Sequence, residues 1–140
     1  MLYIKYNANS KNKKTGDCVV RAICTALNKS WVDTYTDLFN NTIKYGYSVS
    51  SKENFKKYLK QLGYEMQKQP KKYDNTKYTV KEFINTCGKP NTTYIIGVTG
   101  HLTVVINGIL YDTWNCSNKK MGNYWELTTI AEPNIKGGRK

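Results

Sequence analysis

The run Gly100-His101-Leu102-Thr103-Val104-Val105-Ile106-Asn107-Gly108-Ile109-Leu110-Tyr111-Asp112-Thr113-Trp114 holds two β-branched and aromatic segments around Asn107-Gly108. Asn-Gly is the strongest two-residue hairpin signal, because a type I′ turn needs positive φ at both central positions. With that turn, Ile106 faces Ile109, Val105 faces Leu110, Thr103 faces Asp112 and His101 faces Trp114. Opposed residues share a face, and faces alternate along a strand. One face therefore carries His101, Thr103, Val105, Leu110, Asp112 and Trp114, and the other carries Leu102, Val104, Ile106, Ile109, Tyr111 and Thr113.

Parity pairs His101 with Asp112 as diagonal neighbours, with backbones about 7–8 Å apart, within reach of an imidazole–carboxylate hydrogen bond. Asn115 falls on the opposite face. Asp112 is thus the group expected to fix the tautomer of His101 and stabilise its cation. Trp114 is placed to shield that bond from water, which strengthens it.

Working outward, another strand is expected over Thr93–Val98 and a last one over Tyr124–Ile130, with a short one around Leu2, Ile4 and Tyr6. Before residue 90 the period changes to that of helices. Thr15 or Asp17 is placed to cap a helix of about 18–28, with Val19, Val20, Ile23, Ala26 and Leu27 inward. Ser30 caps a helix of about 31–45 with the stripe Trp31, Tyr35, Leu38, Phe39 and Ile43, closed by Gly46. Ser50 or Ser51 starts a third helix of about 52–62, closed by Gly63, and Thr79 caps a short fourth through Cys87. Residues 7–16 read as a loop, 67–78 as a Lys-rich loop or mobile crossing. Helices first and antiparallel strands second predict an α+β fold, as one domain over 1–135 with a flexible tail at 136–140.

Cys18, in Thr15-Gly16-Asp17-Cys18-Val19-Val20-Arg21-Ala22, stands at the first turn of the first helix. Unpaired backbone N–H groups and the positive end of the helix dipole lower a thiol pKa there. The same amides can hold the oxyanion that forms when a thiolate attacks a carbonyl. A second oxyanion donor is usually needed; Asn12, six residues upstream, is the first candidate and Asn9 the second. His101 is the only histidine, so no other imidazole can serve as base. Cys24, Cys87 and Cys116 have no such surroundings and read as structural.

The bulk composition narrows the partners. The net charge is +12, but of 22 basic residues only Arg21 and Arg139 are arginines. Specific recognition of bases and phosphates leans on bidentate Arg, so nucleic acid is disfavoured, and the charge implies a weak attraction to acidic surfaces, an acidic protein or peptide substrate among them. Four cysteines without a C-x-x-C pair, and one histidine, argue against a zinc site; no metal and no cofactor are expected. No apolar stretch approaches the roughly 18 residues of a membrane span, and the start lacks a signal-peptide core. The chain reads as cytoplasmic, with reduced thiols.

Gly16-Asp17-Cys18-Val19-Val20-Arg21-Ala22, Gly100-His101-Leu102-Thr103-Val104-Val105 and Tyr111-Asp112-Thr113-Trp114 together resemble small phage and bacterial members of the papain-like cysteine peptidase superfamily, the branch that includes double-glycine leader peptidases. The resemblance implies a papain-like fold, with helices packed on a C-terminal sheet. It implies Cys18 as nucleophile, His101 as general base and acid, and Asp112 as orienting residue, in the cytoplasm of a bacterial host. The superfamily carries a Gln ahead of its Cys; none precedes Cys18. Gly137-Gly138 resembles a double-glycine cleavage site, beside the plainer reading of a flexible tail. The expected activity is hydrolysis of a peptide, isopeptide or related amide bond, on a protein or peptide substrate. The competing expectation is a phage-encoded binding or inhibitor protein that uses the same shell to sequester a host factor or acidic ligand.

Overall fold

The computed structural model describes residues 1–128 and shows an α+β architecture. The hairpin forms as its sequence dictates. Strands β3 (His101–Ile106) and β4 (Ile109–Asp112) turn through Asn107 and Gly108, at φ 49° and 80°. Ile106 pairs with Ile109 and Val105 with Leu110. Beyond those pairs the link between the strands passes to side chains, where Thr103 Oγ1 donates to Asp112 Oδ2 at 2.6 Å.

Strand β2 (Thr93–Val98) precedes β3 through Thr99-Gly100, and the left-handed Gly100 (φ 68°) sets Val98 opposite His101. Strand β5 (Met121–Leu127) runs antiparallel to β2, with an irregularity between Ile96 and Val98. Strand β1 (Leu2–Lys5) adds to β4, and the sheet order is β1-β4-β3-β2-β5. The wholly antiparallel expectation is corrected here, because β1 runs parallel to β4 and the sheet is mixed. More than a hundred residues separate these two strands, ample for the long crossover a parallel pair needs.

Helices cover both faces. On one, α1 (Cys18–Leu27), α2 (Trp31–Tyr45) and α3 (Lys52–Gln61) set Val20, Ile23, Leu38 and Leu59 against Ile95, Val104 and Trp125. On the other, α4 (Val80–Cys87) sets Val80, Phe83 and Ile84 against Tyr94, Ile96, Val105 and Leu110. A strand buried on both faces reads as a continuous apolar run, as β2 and β3 do. Thr79 and Glu82 close a reciprocal capping box on α4. Residues 67–78 are tied down rather than a mobile crossing: the Gln67 N–H donates to Tyr124 O at 2.7 Å, and Gln69 Nε2 donates to Met121 O at 2.8 Å. These bonds cover the outer edge of β5. The expected strand over 124–130 instead spans Met121–Leu127; Ile130, Gly137-Gly138 and the tail at 136–140 lie outside the described residues.

Helix α2 has the expected bounds and the expected Ser30 and Gly46 caps, but another face is inward. Thr34, Leu38 and Asn41 are buried, while Tyr35, Phe39 and Ile43 are exposed. Burial of Leu38 accompanies a bond from Asn54 Nδ2 to its carbonyl at 3.0 Å, and Asn41 bonds Gln61 at 3.2 Å. Polar side chains with partners across the α2–α3 contact favour this rotation over burial of the aromatic stripe. Trp31 is half-buried at the rim of the core, and Tyr35 stacks on it and Phe39 on Tyr35 along the outer surface.

Neighbouring substitutions test this rotation. Leu38→Ala should cost about 2–5 kcal/mol of unfolding free energy, the range for a truncated core residue. Phe39→Ala should stay within about 0.5 kcal/mol of the parent, as surface changes do. Urea denaturation followed by circular dichroism measures both; equal losses would show that the aromatic stripe contributes to the core.

Candidate active site

Cys18 is the first residue of α1. Asp17 occupies the N-cap position, yet its side chain makes no cap bond, against the expectation that Asp17 or Thr15 would close this helix. The Asp17 carboxylate is spent elsewhere. It accepts from Asn9 Nδ2 (3.0 Å) and Trp31 Nε1 (2.9 Å) and is ion-paired with Arg21. The first intrahelical bond runs from the Arg21 N–H to Asp17 O at 2.9 Å. The N–H groups of Cys18, Val19 and Val20 lie ahead of it, where a helix has no internal acceptors. An unclosed helix start places backbone donors beside the sulfur.

His101 meets Cys18 across the end of the sheet. Its Nε2 bonds Asp112 Oδ2 at 2.7 Å, which leaves Nδ1 as the ring nitrogen available to the thiol. Asp112 is 5% exposed, and its carboxylate is saturated with donors. Oδ2 accepts from His101, from Thr103 Oγ1 at 2.6 Å and from Cys116 Sγ at 3.8 Å. Oδ1 accepts from the Thr113 N–H at 2.7 Å, with Arg21 Nη2 at 3.8 Å. Trp114 tilts over the imidazole with ring centroids 5.0 Å apart. The structure thus brings together Cys18, His101 and Asp112, with Asp112 and not Asn115 on the imidazole; Asn115 accepts from the Ser117 N–H.

Asn12 is not brought to the site. It is exposed, at φ 54° in a turn where its N–H donates to Asn9 O, and its side chain accepts from Asn7 at 3.4 Å. Neither Asn12 nor Asn9 lines the cleft beside Cys18. The segment 7–12 spends its amides on its own turn and on Asp17, so the expected second oxyanion donor is corrected on both counts.

The electrostatics follow from burial and partners. Burial works against a charge on Asp112, but the bonds from His101 and Thr103 outweigh it and lower its pKa. Burial likewise opposes the imidazolium, yet the bonds to Asp112, Cys116 and Cys18 push His101 up to about 11. Burial would raise the Cys18 thiol; the His101 bond, the Leu102 backbone bond and the charges of His101 and Arg21 bring it below its ordinary value of 9.0. By contrast burial carries Cys24 up to about 11, as befits a packing residue. A lowered thiol beside a raised imidazole is the ordering that favours a thiolate–imidazolium pair at neutral pH.

Three contributors were not singled out from sequence. Thr103 was legible, since parity places it on the face of His101 and Asp112. Cys116 was not, because it comes after β4 ends. The Leu102 backbone bond needs the packing of α1 on β3. His101, Asp112 and Cys116 could also hold a metal ion by the spacing of their donor atoms.

A cleft of about 640 Å³ opens on Cys18 and His101, between the starts of α1 and α3 and the sheet end at Gly97 and Gly122. All four cysteines are free, and among the described residues no helix is long and apolar enough to cross a membrane. No protein-family model, curated protein or solved structure gives a significant match to this chain.

These shifts have a direct readout. Iodoacetamide reacts with the thiolate, so the alkylation rate of Cys18 against pH should rise at a midpoint below 9.0. His101→Ala removes the chief stabiliser of the thiolate and leaves burial unopposed, so the midpoint should move alkaline. As the only histidine, His101 gives an unambiguous imidazole NMR signal. It should stay protonated well above the ordinary 6.5, and Asp112→Asn should bring its titration down.

Proposed function

We propose that this protein is a thiol hydrolase of papain-like type that cleaves a peptide, isopeptide or related amide bond. The observation that carries the reading is a single imidazole bonded on one side to a buried carboxylate and on the other to a thiol at a helix start. The Cys18 thiolate attacks the carbonyl carbon, and charge moves onto the carbonyl oxygen. The free N–H groups at the start of α1 are donors for that oxygen. His101 gives its proton to the departing amine as the C–N bond breaks, leaving a thioester on Cys18. His101, now neutral, takes a proton from water, whose oxygen attacks the thioester. The acid product leaves, and thiolate and imidazolium are restored. Asp112 stays ionised, holding the ring so that Nδ1 faces sulfur.

The reading is papain-like in the order Cys, His, Asp and in the helix that carries the nucleophile; it departs in having no Gln ahead of Cys18. The free thiols are compatible with a reducing bacterial cytoplasm.

The test uses trapping rather than a guessed substrate. At pH 7 and limiting iodoacetamide, mass spectrometry should find Cys18 modified at least about tenfold faster than the exposed Cys87, since thiolate fraction sets the rate. His101→Ala should abolish that preference. A Cys18 no faster than Cys87 would sink the hydrolase. Full biological effect in Cys18→Ala would favour the binding-protein reading.

A further inference from the structure

The cleft beside Cys18 has a one-sided charge. Among the described residues, Lys52, Lys77 and Lys120 line it and no Asp or Glu does. Among the described residues none of the three lysines is ion-paired, whereas Lys29, Lys60, Lys72 and Lys89 are. Two of the amines are held by neutral acceptors. Lys52 Nζ donates to Asn123 Oδ1 at 2.6 Å, and Lys120 Nζ to the Lys77 carbonyl at 3.4 Å. A neutral acceptor positions an ammonium group without cancelling its charge.

The sheet fixes where this charge lies relative to the nucleophile. His101 pairs with Val98 across β3 and β2, and Val98 pairs with Met121 across β2 and β5. Lys120 immediately precedes Met121 and forms a bridge with Thr79, two residues after Lys77. Two strand spacings separate His101 from this end of β5, about 10 Å. An extended peptide advances about 3.3 Å per residue, so about three residues span that distance. Gly97 and Gly122 lie between and carry no side chain, so this floor is low. The wall also includes Trp125, buried with its indole N–H unpartnered among the described residues, a further donor and no acceptor.

We propose that the cleft selects peptides bearing an acidic side chain about three residues from the bond attacked by Cys18. Lys120 and Lys77 form the carboxylate subsite, and Lys52 closes its other side. This rests on the reading of Cys18 as a nucleophile and adds a substrate class to it. The lysines bind a point charge rather than a bidentate fork, so Asp and Glu are both accepted.

Bromoacetyl peptide amides test charge and distance together, since the bromoacetyl group alkylates Cys18 and anchors the chain. A glycine peptide carries one Glu, or one Gln, as its first, third or fifth residue. Each rate on the full chain is divided by the iodoacetamide rate of the same protein. At low salt the Glu/Gln ratio should be greatest at the third residue, about tenfold, as expected for a charged cleft. It should collapse toward one in Lys52→Gln/Lys77→Gln/Lys120→Gln. It should survive in Lys11→Gln/Lys13→Gln/Lys14→Gln, which removes the same charge from residues outside the cleft. A ratio near one at every position, or equal loss in both triple variants, overturns the proposal. Slow iodoacetamide modification with a normal Glu/Gln ratio would instead remove the hydrolase and leave the acidic subsite. Circular dichroism confirms that each variant is folded.

Discussion

Asp112 carries its charge where the side chain is 4% exposed, and an unpaired carboxylate there would cost several kcal/mol. The surrounding structure answers that demand from every side. Thr103 donates from β3, His101 from the start of the same strand, the Thr113 amide from the chain just beyond, and Arg21 approaches from α1. The Asp112 carbonyl accepts from the Tyr6 N–H at 2.9 Å and Tyr3 Oη at 3.1 Å, which ties β1 to the same residue. Asp112 therefore joins β3, β4 and the first helix through its carboxylate and the edge strand through its carbonyl, at the point where the thiol sits.

Arg21 makes the connection reciprocal. It spans two carboxylates, Asp17 and Asp112, and so links the loop before Cys18 to the end of β4. Because Asp17 is engaged with Arg21, Trp31 and Asn9, it does not close its own helix. A residue that looks like a helix cap is instead a tertiary anchor, and the amides it would have satisfied remain beside the sulfur. The cost of an unclosed helix end, about 1 kcal/mol for a lost cap, is offset by the packing Asp17 secures. An open donor set next to a thiol of lowered pKa would suit the carbonyl of the proposed reaction.

Local signals carried much of the fold. Ser30, Ser51, Thr79 and Gly46 bound their helices as the sequence predicts, because caps and left-handed stops are contacts within a few residues. Parity from Asn107-Gly108 likewise put His101, Thr103 and Asp112 together, since side-chain alternation is a property of the strand itself. The misreadings all involve long-range choices. The parallel pairing of β1 and the inward turn of Leu38 without Phe39 depend on which surfaces meet. The reading of Asn12 failed for the same reason, because spacing from Cys18 says nothing about how a left-handed turn aims a side chain.

The sequence by itself determined which groups could cluster: a lone histidine, a carboxylate on its face and a cysteine at a helix start. Those follow from turn chemistry and periodicity, which act over a few residues. Tertiary structure decided what these groups are worth chemically. Packing α1 against β3 sets the thiol against the imidazole, burial sharpens every charge among them, and the approach of β5 brings Lys120 and Lys77 to the same cleft. Acidity and charge selection depend on neighbours distant in the chain, and only the folded chain brings those neighbours together.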